Sequence, residues 1–202
     1  MTIEQLTAFA LQRTKTARDA IKLIGELAEK YGFLPSCAGA GECLTITDPK
    51  EAWVFEVFSV GIGWDPASGK PGAVWASKRV PDGELVCVPN ISRIREIDLS
   101  QPDYFMASTN YMQEAIDRGW YDPDSGEPFI WQEAYTPLLG GWSLSSEWVR
   151  IRLHLVYSWA APSMEWEPYK ETQTYPFSIK PEKKVSVQDV INLQRSTLTG
   201  TV

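Results

Sequence analysis

Cys43-Leu44-Thr45-Ile46-Thr47-Asp48-Pro49-Lys50-Glu51-Ala52-Trp53-Val54-Phe55-Glu56-Val57-Phe58-Ser59 is the stretch from which the fold is read. β-branched and aromatic residues fill both of its ends, and the Asp-Pro-Lys-Glu between them is turn chemistry. The pattern predicts two antiparallel strands, Cys43 to Thr47 and Ala52 to Ser59. In the second, Trp53, Phe55 and Val57 alternate with Val54, Glu56 and Phe58, so both faces are mostly apolar. A strand of that kind lies inside a sheet that is covered on both sides.

Working outward, Ala73 to Val80 and Leu85 to Val88 read as further strands of an antiparallel meander. The loop 61–72 and the tight turn Pro81-Asp82-Gly83 connect them. Upstream, Thr2 with Gln5 is a capping box for a helix through about Leu11, and Thr16 with Asp19 opens a second. In that second helix Ala17, Ala20, Ile21, Ile24, Leu27, Ala28 and Tyr31 keep helical spacing, and Gly32 stops it. After Asn90 the chain is loop-rich, with helical stretches near Tyr111 to Arg118 and Pro128 to Tyr135. Ser145 or Ser146 caps an apolar helix from Trp148 to about Ala160, stopped by Pro162, and Ser186 with Asp189 caps a last helix ending near Gly200. The expectation is one α+β domain over 1–202, an antiparallel sheet flanked by helices.

With 202 residues, of which 44% are apolar and 12% aromatic, the chain can bury a sizeable core. A net charge of -7 gives no surface for tracking phosphates, so nucleic acid is not an expected partner. Neither is a membrane, because no apolar run approaches the roughly twenty residues needed to span one. Cys37, Cys43 and Cys87 form no CxxC pair and no even set, which points to a reducing, cytoplasmic setting.

Most catalytic devices find no residues here. The one histidine, His154, lies among apolar residues without a neighbouring carboxylate, so a Ser-His-Asp or Cys-His arrangement is disfavoured and a packed histidine is expected. One histidine and three scattered cysteines give no zinc spacing, and no metal or cofactor is expected. Cys37-Ala38-Gly39-Ala40-Gly41-Glu42-Cys43 precedes a strand and lacks the Lys-Ser/Thr ending of a phosphate loop. Neither Cys37 nor Cys43 has a basic neighbour to lower its pKa. Most of the nine tryptophans suit a core, but Trp64, Trp120 and Trp142 fall in loops. They leave open a non-catalytic module that binds peptide or glycan. The many carboxylates leave open a glycosidase with a facing acid pair.

One amidase strategy needs neither a triad nor a metal: a nucleophile at the chain terminus whose own α-amine is the base. Gly41-Glu42-Cys43-Leu44-Thr45-Ile46-Thr47-Asp48-Pro49-Lys50-Glu51-Ala52-Trp53-Val54-Phe55-Glu56 resembles the dipeptidase D and secernin family of N-terminal-nucleophile hydrolases, related to the choloylglycine hydrolases. Arg18-Asp19-Ala20-Ile21, Gly72-Ala73-Val74-Trp75-Ala76, Arg79-Val80-Pro81-Asp82-Gly83, Asn90-Ile91-Ser92-Arg93-Ile94, Ala161-Pro162-Ser163 and Tyr175-Pro176-Phe177-Ser178 resemble motifs of the same family in the same order. The resemblance covers nearly the whole chain.

It implies a four-layer αββα sandwich, here incomplete, and a dipeptidase acting on small peptides through a terminal cysteine that attacks the peptide carbonyl. That cysteine and the family's C-terminal end are expected to lie outside residues 1–202. Thr2 is read as a helix cap and not as a substitute nucleophile. By resemblance Asn90 matches the asparagine whose amide stabilises the oxyanion, and Arg152, with Arg150 as the neighbouring alternative, matches an arginine near the catalytic centre. Glu42 and Arg93 are the candidates for the substrate end. Arg93 also reads as a brace for the Asn90 loop. A small peptide is the expected partner, and assembly as a homo-oligomer stays open.

Overall fold

The structure, a computed structural model, describes residues 1–36, 41–135, 146–168 and 170–196. These residues carry six α-helices and a four-stranded antiparallel sheet, so the chain is a mixed α+β protein. They cluster as two compact units, Met1–Val80 with Ile94–Gly141, and Pro81–Arg93 with Trp142–Val202.

The first unit opens with α1 (Ile3–Arg13) and α2 (Ala17–Tyr31). Both start as their caps dictate: Thr2 N donates to Gln5 Oε1 at 3.1 Å, and Asp19 N donates to Thr16 Oγ1 at 3.1 Å. The buried face of α2 is Ala17, Ala20, Ile21, Ile24, Gly25 and Ala28, and it ends before Tyr31, which is 54% exposed. The sheet follows in the order β1 (Gly41–Thr47), β2 (Ala52–Ser59), β3 (Ala73–Val80) and β4 (Phe105–Ala107). Thr47 pairs with Ala52 across the first turn. There Asp48 Oδ1 accepts from Lys50 N at 2.7 Å and Glu51 N at 3.0 Å, the local bonding that makes aspartate a turn residue.

The same turn fastens α2 over the sheet. Ala17 N donates to Asp48 Oδ2 at 2.8 Å, and Arg18 forks onto Glu51 at 2.7 and 3.0 Å. Trp53, Phe55 and Val57 then face Leu6, Ile21, Ile24 and Trp75 in the core. Fully burying an isoleucine such as Ile21 or Ile24 contributes about 1.5–3 kcal/mol relative to leaving it exposed. Gly25 is where helix and sheet come closest, because a Cβ there would enter the Trp75 ring. The indole Nε1 of Trp75 in turn donates to Glu29 Oε1 at 2.7 Å, one turn further along α2.

The opposite face of β2 is covered as well. Phe58 stacks on Tyr135 at 5.1 Å and lies 5.5 Å from Trp131, in α4 (Trp131–Ala134). Glu56, 2% exposed, accepts from Trp131 Nε1 at 2.8 Å and from Ile94 N at 3.2 Å, which offsets the cost of burying a carboxylate in a strand. The short α3 (Gln113–Asp117) completes this unit's helices.

Three expectations are corrected. Leu85 to Val88 is not a strand of the meander, since Leu85 makes a single antiparallel bridge to Ile179 and β3 pairs with β4 instead. Asn90 therefore does not end a strand; it follows Pro89, which has no N–H to give a ladder. The last helix, α6 (Val187–Gln194), is shorter than expected, closing with Ser196 N on Leu193 O at 3.2 Å. The expected continuation over 197–200, like Ser145, Cys37 and Trp142, lies outside the described residues.

No helix among the described residues is long and apolar enough to cross a membrane.

Candidate active site

The second unit is built on α5 (Glu147–Ala160). Val149, Leu153, Tyr157 and Ala160 form its buried stripe, at the spacing a one-faced helix requires. Tyr157 meets Trp166 at 5.4 Å and Tyr175 at 5.7 Å, and Trp166 stacks on Tyr175 at 5.6 Å. The segment before Asn90 is sewn to the chain near Ile179. Leu85 and Ile179 exchange backbone bonds of 2.9 and 3.0 Å, and Ser178 Oγ donates to Glu84 Oε2 at 2.6 Å.

Asn90 emerges from this framework with φ 62°, a left-handed conformation that asparagine tolerates better than other side chains. It is exposed, and its Oδ1 accepts from an Arg152 guanidinium nitrogen at 2.8 Å. That bond fixes the amide: with Oδ1 turned to the cation, Nδ2 and its two hydrogens face away from it. A positive charge on the oxygen also draws density from the nitrogen and strengthens its N–H as a donor.

Arg150 takes a different direction. Two residues before Arg152 on a helix, it projects from another face and reaches Glu171 Oε1 at 3.4 Å. Arg93 is buried, with one nitrogen donating to Thr172 O at 3.1 Å and the other to Tyr175 O at 3.3 Å and Pro176 O at 2.6 Å. These three acceptors are main-chain carbonyls inside the unit. Glu42 belongs to the first unit, where it accepts from Ser36 N at 2.9 Å and from the Ser36 hydroxyl. Of the five residues singled out from the sequence, the structure joins Asn90 and Arg152 directly, and Arg93 lies three residues along the same loop.

No described thiol is primed to attack. Burial pushes Cys87 up to about 11 despite the opposing charges of Arg93 and Arg152, and burial followed by the nearby Glu56 charge holds Cys43 well above the ordinary range. His154 is half-buried, its Nδ1 lies 3.3 Å from Ser158 Oγ, and burial lowers its pKa. Among the described residues no group of three or more His, Cys, Asp or Glu could hold a metal. Trp64 ties down its own loop through Nε1 to Lys70 O at 2.9 Å, and Trp120 packs edge-on against Tyr135 at 5.9 Å.

Sequence reasoning missed Tyr157, whose hydroxyl lies 2.9 Å from Pro176 O and 3.0 Å from Phe177 O and shares its one hydrogen between them. A buried phenol on an apolar helix stripe has to find an acceptor, and that was the available signal.

A model of peptidase family C69 matches residues 1–202. The chain is 26% identical over 206 residues to a probable dipeptidase of Salmonella dublin, covering 100% of this chain and 41% of that protein. It is 24% identical over 188 residues to a probable dipeptidase of Latilactobacillus sakei, covering 93% and 34%. It is 26% identical over 209 residues to a dipeptidase of Bifidobacterium longum, covering 98% and 36%. The chain thus spans 34% to 41% of the length of these curated relatives. No solved structure matches it.

Proposed function

This chain belongs to peptidase family C69, and from that premise we propose that it supplies the oxyanion-stabilising part of a cysteine dipeptidase whose attacking thiol lies outside residues 1–202. The proposed setting is a single domain of the αββα N-terminal-nucleophile type, of which 1–202 is a part. The Asn90–Arg152 pair carries the reading. The raised pKa of Cys43 and of Cys87 supports a nucleophile from elsewhere, since a thiol held neutral is a poor nucleophile.

In the proposed reaction the terminal thiol gives its proton to its own α-amine, and the thiolate sulfur adds to the carbonyl carbon of the dipeptide. The carbonyl oxygen takes the displaced electron pair and becomes an oxyanion. Asn90 Nδ2 donates to it, held in place by the Arg152 bond to Oδ1, so the donor needs no reorganisation as charge develops. Collapse breaks the C–N bond, and the leaving amine takes the proton back. Water then hydrolyses the thioester, releasing the first amino acid and restoring the thiol. Arg152 orients Asn90. Neither Arg150, occupied by Glu171, nor Glu42 carries a step.

The test is Asn90→Ala in the longer enzyme that carries the cysteine. Loss of an oxyanion donor lowers kcat by about two to three orders of magnitude. A change within about a factor of two would remove Asn90 from the mechanism.

A further inference from the structure

The atom that organises the second unit's loop and helix is a main-chain oxygen. Pro176 O accepts from Arg93 at 2.6 Å and lies 2.9 Å from the Tyr157 hydroxyl, whose single hydrogen it shares with Phe177 O at 3.0 Å. Arg93 lies three residues after Asn90 on the loop, and Tyr157 lies five residues after Arg152 on α5. The loop and the helix are therefore both fastened to one oxygen, and the Asn90–Arg152 bond at 2.8 Å closes the circuit. The donors are 2% and 0% exposed, so neither is positioned to touch substrate.

Both donors have further acceptors in the same segment. Arg93 also holds Thr172 O and Tyr175 O, which aligns three carbonyls of one segment around a single planar guanidinium. Tyr157 also reaches Phe177 O at 3.0 Å, the next carbonyl along. The contacts grip 172–177 from two sides, and the shared point is Pro176.

We propose that Arg93 and Tyr157 are positioning residues for amide hydrolysis: by sharing Pro176 O they set the spacing between the Asn90 loop and α5, and so the direction of the Asn90 N–H donors. This rests on the reading of Asn90 as the oxyanion donor. Arg93, a sequence candidate for the substrate end, acts here from behind the site.

Two measurements separate this from that reading. In the 202-residue chain, the Asn90 side-chain amide pair, identified by its loss in Asn90→Ala, is followed by NMR in Tyr157→Phe and Arg93→Lys. The first removes one O–H without changing shape, and the second keeps the charge but not the fork. The pair moves toward its random-coil position in both, while the Trp166 indole signal reports intact packing. In the longer enzyme, Tyr157→Phe lowers kcat about tenfold with KM within about twofold, and has no further effect once Asn90 is alanine. If Asn90→Ala cripples turnover but Tyr157→Phe leaves both the amide signal and kcat unchanged, the positioning role is overturned and the oxyanion reading stands. If Tyr157→Phe costs as much in the Asn90→Ala background, its role is general packing and the proposal falls. If Asn90→Ala leaves turnover intact, both fall together. Should Arg93→Lys fail to fold, the isosteric Tyr157→Phe decides alone.

Discussion

At Asn90 backbone conformation and side-chain chemistry are two separate requirements on one residue. The φ of 62° suits glycine as well as asparagine, whereas the bond to Arg152 needs the amide oxygen. Substitutions divide the two. Asn90→Gly keeps the backbone relaxed and Asn90→Ala does not, so the alanine variant should be less stable by about 1 kcal/mol in denaturant titration. Both variants lose the donor. Equal stability of the two would show that the loop does not hold this conformation in solution. From the sequence, Asn90 and Arg152 were reached through motif order, and nothing local separated Arg152 from Arg150. In the structure the two have different partners, Asn90 for Arg152 and Glu171 for Arg150.

The elements that could be read from sequence are those whose information is local. α2 announces itself through Thr16, Asp19 and one apolar stripe, and β2 through alternation on two buried faces. β4 has only Phe105, Met106 and Ala107 and is a strand because β3 offers it an edge, which no three-residue pattern reveals. Leu85 failed as a meander strand for a related reason: its partner Ile179 is remote in sequence, and periodicity says which faces are apolar without saying what covers them. Glu56 shows the same limit, reading as a polar interruption until Trp131 and Ile94 are known to bind it. The closest element packing gives a direct prediction. Gly25→Ala drives a methyl group into the Trp75 indole, which Glu29 holds in place, so thermal unfolding should show a loss of about 1–3 kcal/mol. An unchanged melting temperature would mean that α2 and β3 are less tightly apposed than described.

For the whole molecule, the α+β class followed from helical and strand patterns in the sequence, and the two-unit clustering did not, because each unit combines stretches far apart in the chain. The catalytic reading gives the largest-scale prediction. Expressed with a separate cysteine-bearing segment, the chain should hydrolyse unblocked dipeptides that neither piece cleaves alone, since in the proposed reaction one piece brings the thiol and the other the oxyanion donor. Absence of turnover from a mixture shown by circular dichroism to be folded would count against the division of labour. The carbonyl of Pro176 has a consequence of its own. It belongs to the backbone, so a substitution at that position keeps the oxygen and can alter only its direction, through the φ that proline fixes. Deleting a side chain can break this junction only at its donors, Arg93 and Tyr157, because the atom on which both converge is carried by the main chain.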